Sequence, residues 1–298
     1  GLDVARDLHP LAVRDLFQDA WTEFLTEVVA DQPSVVLVED IHWAEPQLLD
    51  LIEYVLGSAR GPLLVLATAR PELLEHRPGW GARSGGELLE LDPLSARDAD
   101  RMLDEMLAGG LPAELSDLVV ERAEGNPFFV EELLGVLIDR GILVRDDGHW
   151  LLHDLPSEFA VPDSVQAVLA ARIDLLSAAE KAALQAASVI GRVFWTGPVY
   201  ELVEAEPDLR VLEDRDFIRR RAGSSMARER EYVIKHALTR EVAYESIPRA
   251  RRARMHAAFA VWLERREPGR DDLASLLAHH YAEAARPDLL LLDLNLPG

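Results

Sequence analysis

The run Val35-Val36-Leu37-Val38, followed directly by Glu39-Asp40, constrains this chain more than any other stretch. Four consecutive aliphatics predict a strand buried on both faces, and such strands lie inside parallel sheets covered by helices. Open α/β sheets bind ligands at the carboxyl ends of their strands, and here that end carries two adjacent carboxylates. A buried strand that runs out into two solvated acids is the plainer reading of these six residues taken alone.

The flanking pattern extends the strand into a unit. Leu11 to Ala30 carries Leu16, Phe17, Ala20, Trp21, Phe24, Leu25 and Val28 at helical spacing, and Asp31-Gln32-Pro33 ends that helix. Pro46 suits a first helical position and opens a second helix through Leu56. Gly57 to Pro62 turns the chain into a second apolar strand, Leu63 to Thr68. Strand, helix and strand predict a right-handed crossover between parallel strands. Leu88 to Leu91 reads as a further short strand, and Ser95 with Asp98 as a capping box before a helix over Ala99–Leu107.

Farther on, a helix over Leu115–Ala123 stops at Gly125-Asn126-Pro127, and a new helix starts. Residues 142–152 predict a hairpin around Asp147-Gly148. Two helices, Val165–Leu176 and Ala178–Ser188, precede a third near Pro198–Glu204. Phe217-Ile218 and Tyr232-Val233-Ile234 then read as two strands across an Arg-rich loop. Helices followed by a hairpin fit a winged helix.

A chain of 298 residues, 49% hydrophobic, has room for two or three domains. It contains no cysteine, which excludes disulfides and thiolate metal sites. No apolar run approaches the roughly 18 residues that span a bilayer, and no secretory signal opens the chain. A cytoplasmic protein without a membrane partner is expected. The net charge of −22 opposes non-specific binding to nucleic acid, although Glu213 to His256 is locally basic, with twelve Arg or Lys against seven Asp or Glu. The serines lack a nucleophile-elbow context and no HExxH spacing occurs. His279 and His280 are adjacent, so on a helix their rings point in different directions.

A hydrophobic strand closing on paired acids is how P-loop NTPases hold Mg²⁺ and position the attacking water. The whole segment Val35 to Pro46, with its His-Trp-Ala-Glu-Pro continuation, resembles the Walker B region of AAA-type ATPases of the STAND class. These are regulatory ATPases found beside adenylate cyclase domains and in LuxR-type transcription activators. Residues 125–134 resemble the GxP motif of STAND lid domains, and residues 231–263 the end of the same module, where it passes into TPR-like helices. The resemblance implies an α/β partial P-loop NTPase core with a parallel sheet, followed by a mostly α lid, a winged helix and a helical segment. The expected boundaries are residues 1–92, 93–156, 157–235 and 236–286, with a tail at 287–298.

By the same resemblance Glu39 and Asp40 would hold Mg²⁺, Asp40 would orient the hydrolytic water and Arg70 would sense the γ-phosphate of ATP. Pro127 would pack on the adenine, and His236 would reach a diphosphate. Arg70 as an ordinary surface arginine, and His236 as a helix-start histidine packed on the wing, are the structural alternatives. The implied partner, besides nucleotide, is an output domain in the same polypeptide, either a cyclase or a helix-turn-helix. DNA binding through Arg219, Arg220, Arg221, Arg228, Arg249, Arg251, Arg252 and Arg254 is a competing function, and a non-catalytic scaffold is another.

One departure from the family pattern is firm. The only lysines, Lys181 and Lys235, follow no Gly-rich loop and lie downstream of the acidic strand, so the sequence contains no Walker A motif. The expectation is a fragment whose P-loop lay upstream and which neither binds ATP tightly nor hydrolyses it. Arg286 to Gly298 resembles the phosphoacceptor strand of a receiver domain, with Asp293 before Pro297-Gly298. The acidic pair such a domain needs would lie about 250 residues away at Glu39-Asp40, which excludes a receiver over this chain.

Overall fold

The computed structural model describes residues 9–107, 111–146, 149–153 and 162–285. The chain divides into two compact units, residues 1–91 and 92–298.

The first unit runs α1 (Pro10–Asp31), β1 (Ser34–Val38), α2 (Pro46–Ser58), β2 (Leu63–Ala67) and α3 (Glu72–His76). The two strands are parallel, in the register Ser34↔Leu63 to Val38↔Ala67, with α2 as the crossover. Thus the strands are parallel and joined through a helix, as expected, and both end side by side. A small core of Ile41, Leu49 and Leu73 sits at that end, with Val38, Ala44 and Trp80 against it.

Two expectations need correcting here. Strand β1 is not buried on both faces: Val35 is 63% and Leu37 59% exposed, and Leu64 and Leu66 on β2 open to the same degree. Side chains alternate across a sheet, and these four share the face that no described element covers. Leu88–Leu91 is not a strand, because no ladder partner is offered and Leu88, Leu89 and Leu91 are all exposed. Helix α1 forms as expected, yet Leu16, Phe17, Trp21 and Phe24 are exposed, and among its described side chains only Val29 is buried.

The second unit begins with α4 (Ala96–Leu107), α5 (Ala113–Ala123), α6 (Pro127–Asp139), β3 (Leu143–Asp146) and β4 (His149–Leu152). Strands β3 and β4 form the expected antiparallel hairpin, with Val144 opposite Leu151; its turn lies outside the described residues. Ser95 takes up half of the expected capping box. Its Oγ accepts from the Asp98 amide at 3.2 Å and donates to the Asp98 carboxylate at 2.6 Å. Leu103, Leu107, Val119, Val130, Leu133 and Leu137 build the core of this part.

The chain continues through α7 (Val165–Asp174), α8 (Ala178–Ile190), β5 (Val193–Trp195), α9 (Thr196–Val203), α10 (Leu209–Asp214), β6 (Ile218–Arg220) and β7 (Glu231–Ile234). A capping box between Ser177 and Glu180 starts α8. The strands form an antiparallel sheet in the order β5-β7-β6. Helices α11 (Ala237–Glu245), α12 (Arg249–Arg266) and α13 (Ala274–Ala284) complete the described chain. Phe194, Phe217, Phe259, Leu184 and Leu212 are fully buried in one core shared by α8 to α13. The receiver-like tail falls outside the described residues.

Candidate functional site

In the first unit the acids stand where the parallel strands end. Asp40 adopts a left-handed backbone (φ 57°, ψ 38°), a conformation that L-residues other than Asn and Asp seldom take. Thr68, just past β2, holds that turn from the neighbouring strand. Its Oγ1 accepts from the Asp40 amide at 3.0 Å and its carbonyl from the Ile41 amide at 2.9 Å, while its own amide donates to Val38 at 3.0 Å. Parallel register places Thr68 beside Glu39 and Asp40 as a direct consequence of Val38↔Ala67. Glu39 is exposed and Asp40 half-buried.

Two residues on, the pairing repeats. The Arg70 amide donates to His42 Nδ1 at 3.4 Å, so Nε2 carries the ring N–H, and it is shut off from solvent without a hydrogen-bond partner. Arg70 is exposed and, with His42, Trp43, Pro46 and Arg77, borders an open groove of about 480 Å³. Arg77 is tied down by Asp50 at 2.6 Å. Glu39 and Asp40 thus follow β1 directly, and Arg70 lies three residues past the end of its parallel partner β2. Thr68 was not singled out from sequence, although a hydroxyl closing the second strand opposite an acid pair was the available signal.

The donor set suits Mg²⁺, which takes one or two protein carboxylates and completes its shell with phosphate and water. No third His, Asp or Glu joins Glu39 and Asp40 in a metal-holding group among the described residues.

In the second unit the Gly-Asn-Pro turn sets the start of α6. Gly125 has φ +77°, and a Cβ there would stand 2.4 Å from the Leu94 carbonyl oxygen, so only glycine fits. Asn126 caps α6 by accepting from Phe128 N at 3.0 Å and Phe129 N at 3.4 Å, and Pro127 takes the first helical position. Phe128 lies against His236, which follows β7, with ring centroids 4.4 Å apart. Pro127 and His236, far apart in sequence, thus come to one locality through Phe128. His236 Nε2 is shut off from solvent without a hydrogen-bond partner, 3.9 Å from the Glu131 carboxylate. Burial, reinforced by Lys235, pushes the His236 imidazole below its ordinary pKa and keeps it neutral at pH 7. Helix-start packing, the structural alternative for His236, describes these contacts equally well.

A domain of unknown function (DUF8739) matches residues 102–149, which hold the second half of α4, α5, α6 and β3. An uncharacterized protein of Rhizobium meliloti is 31% identical over 189 residues, 61% of this chain and 17% of the relative. Among solved structures, a Signal Transduction ATPase with Numerous Domains (STAND) protein with a tetratricopeptide repeat sensor, from Pyrococcus horikoshii, superposes with a TM-score of 0.56 at 16% identity. That match covers 93% of this chain and 38% of the other. The chain accordingly has a STAND-like fold, and it spans under a fifth of the curated relative. No described helix is long and apolar enough to cross a membrane.

Proposed function

We propose that this chain is part of a STAND-type regulatory ATPase. The observation that carries this reading is the Asp40 turn: an acid in a strained backbone, at the carboxyl end of a parallel strand, clamped by Thr68 of the next strand. Strained non-glycine residues persist where surrounding structure over-determines them, and they cluster at functional sites. Glu39 and Asp40 would hold the Mg²⁺ of Mg·ATP, which supplies charge neutralisation at the phosphates. Asp40 would also orient water, and Arg70 would contact the γ-phosphate with its planar donor fork. By the same reading Pro127 would pack on an adenine and His236 would reach a diphosphate.

The order helix, strand, two helices, two strands from α8 to β7 supports a winged helix between the lid and α11. An output domain, cyclase or helix-turn-helix, would be the element this module controls. Duplex DNA is the weaker reading. Arg221 is committed to the buried Glu231 at 2.6 Å, the Arg220 amide to Glu213, and α10 ends in Glu213-Asp214.

Both lysines are engaged elsewhere, Lys181 with Asp174 at 2.5 Å and Lys235 with Asp216. Without a phosphate-cradling lysine and its loop, three or more charge-assisted hydrogen bonds at ~1.5–3 kcal/mol each are missing. At least ~4.5 kcal/mol, a factor of about 2,000 in affinity, is then lost. Calorimetric titration of these 298 residues with Mg·ATP is expected to show no micromolar binding. In the longest chain the gene encodes, Asp40→Asn is expected to abolish ATP hydrolysis while nucleotide still binds. Undiminished hydrolysis by that variant sinks the reading.

A further inference from the structure

A buried cation in the second unit has no hydrogen bond to Pro127, Phe128 or His236 and so lies outside the contacts described above. Arg172, on α7, sends each arm of its guanidinium to a different acceptor. Nε donates to Asp139 at 3.0 Å, Nη1 to Glu132 at 2.7 Å and Nη2 to the Arg215 carbonyl at 2.6 Å. Its guanidinium carbon lies 4.7 Å from the Phe217 ring centroid, and the three ionic side chains are each less than a tenth exposed. Glu132 and Asp139 flank Gly135 on one stripe of α6. A Cβ on Gly135 would come within 2.6 Å of the guanidinium carbon, so the missing side chain is the slot that Arg172 fills.

We propose that Arg172 is a positioning residue that fixes the start of α6, with Pro127 and Phe128, in register with His236. The contacts close a ring. The Phe217 carbonyl accepts from Lys235 N at 3.0 Å, and the chain passes directly to His236. His236 packs on Phe128, seven residues or about 10.5 Å along α6 from Gly135. Phe128, Glu132, Gly135 and Asp139 follow at helical spacing, so one face of α6 meets His236 at its start and Arg172 two turns later. A buried ion triad adds little net stability over apolar side chains of the same volume. What three directed N–H groups add is geometry: each specifies a separate element, which a methionine in the same slot cannot do. The ion pairs of Lys235 with Asp216 and Glu131 are partly exposed and weaker constraints. The functional weight of this register rests on the proposed nucleotide role of Pro127 and His236.

The test is the titration of the His236 imidazole, followed by NMR in the whole chain, in Arg172→Lys and Gly135→Ala. Lysine keeps the charge that His236 feels but loses the fork, and the alanine methyl displaces the guanidinium while leaving it charged. Glu131, Lys235, Asp216 and Arg192 also act on His236 and are untouched in both variants. The expected result is that His236 moves up toward the ordinary value of about 6.5 in both, with Phe128 no longer covering it. Folded variants whose His236 titrates as in the native chain overturn the proposal. If neither folds, Asp139→Ala, which removes the acceptor of Nε and leaves the groups that act on His236 in place, is measured in the same way and against the same criterion. No nucleotide enters this readout. Absence of nucleotide binding in the full-length protein would therefore sink the ATPase reading while leaving the register intact, and the converse holds for an unmoved His236.

Discussion

His256 and His280 face each other with their Nδ1 atoms 2.8 Å apart, and both rings are buried, at 2% and 1% exposure. Two nitrogens at that distance share one proton. The surrounding bonds say which way it points: Tyr244 Oη lies 2.9 Å from His256 Nε2, and His280 bonds to the Ile190 backbone. A tyrosine hydroxyl donating to His256, His256 to His280 and His280 to the Ile190 carbonyl satisfies every ring nitrogen with both imidazoles neutral. This relay ties α11, α12, α13 and α8 together.

Acid should therefore loosen the second unit. Burial, first, then His280, His279, Arg240 and Arg252 push His256 down to about 3, while burial, His279 and Arg240 push His280 down to about 4. Unfolded, both titrate near 6.5, so the unfolded chain takes up protons first as pH falls. Their stabilising contribution is complete above about 6.5 and is lost on the way down toward 4, at up to ~1.4 kcal/mol per pH unit for each. Melting midpoints between pH 7.5 and 5.5 are expected to fall with pH, and the slope to flatten in the double variant His256→Gln, His280→Gln. An identical slope in that variant would show that the pair is not the titrating element.

The turn before α6 gives a second expectation. Asn126→Ala removes the acceptor for two orphan amides and should cost about 1 kcal/mol, read by denaturant unfolding. Gly125→Ala should cost more, because it adds a left-handed penalty to a Cβ standing 2.4 Å from a carbonyl oxygen. Reversal of that order would mean that the turn relaxes freely.

How far the sequence disclosed this depended on the kind of signal. Helix α6 announced itself through Gly125, Asn126 and Pro127, each a local rule about backbone or capping, and the structure fills all three roles. The parallel pair β1 and β2 was equally legible from two aliphatic runs around one helix. What local rules do not carry is which face of a strand meets a partner, so Val35 and Leu37 were misjudged as buried. Leu88–Leu91 failed for the same reason, since a strand needs a ladder and composition supplies only the side chains. The short α10 and the Arg172 slot were invisible. Arg172 reads from sequence as an arginine on an amphipathic helix, and only the fold brings Glu132, Asp139 and Gly135 around it.

The exposed sheet face yields a contrast in stability. Leu37 is 59% exposed, so Leu37→Lys should shift unfolding by under about 0.5 kcal/mol in these 298 residues. Ile41, three residues past the strand, is 2% exposed at the centre of the small core, and Ile41→Ala should cost about 2–5 kcal/mol. Comparable losses at the two positions would place Leu37 in a packed interior.

Asp40 offers the last and most direct expectation, because its two roles separate. The left-handed backbone suits glycine, so Asp40→Gly relieves strain and should stabilise the first unit by up to ~1 kcal/mol. Thr68→Val keeps volume but removes the acceptor of the Asp40 amide, so that amide should exchange hydrogen faster while β2 itself stays paired. Stability gained when an acid is deleted is the signature of a residue kept for chemistry at the expense of folding. Thermal melts of Asp40→Gly beside the native chain measure it. A clear loss of stability would instead make Asp40 a structural residue and remove the observation on which the Mg²⁺ assignment stands.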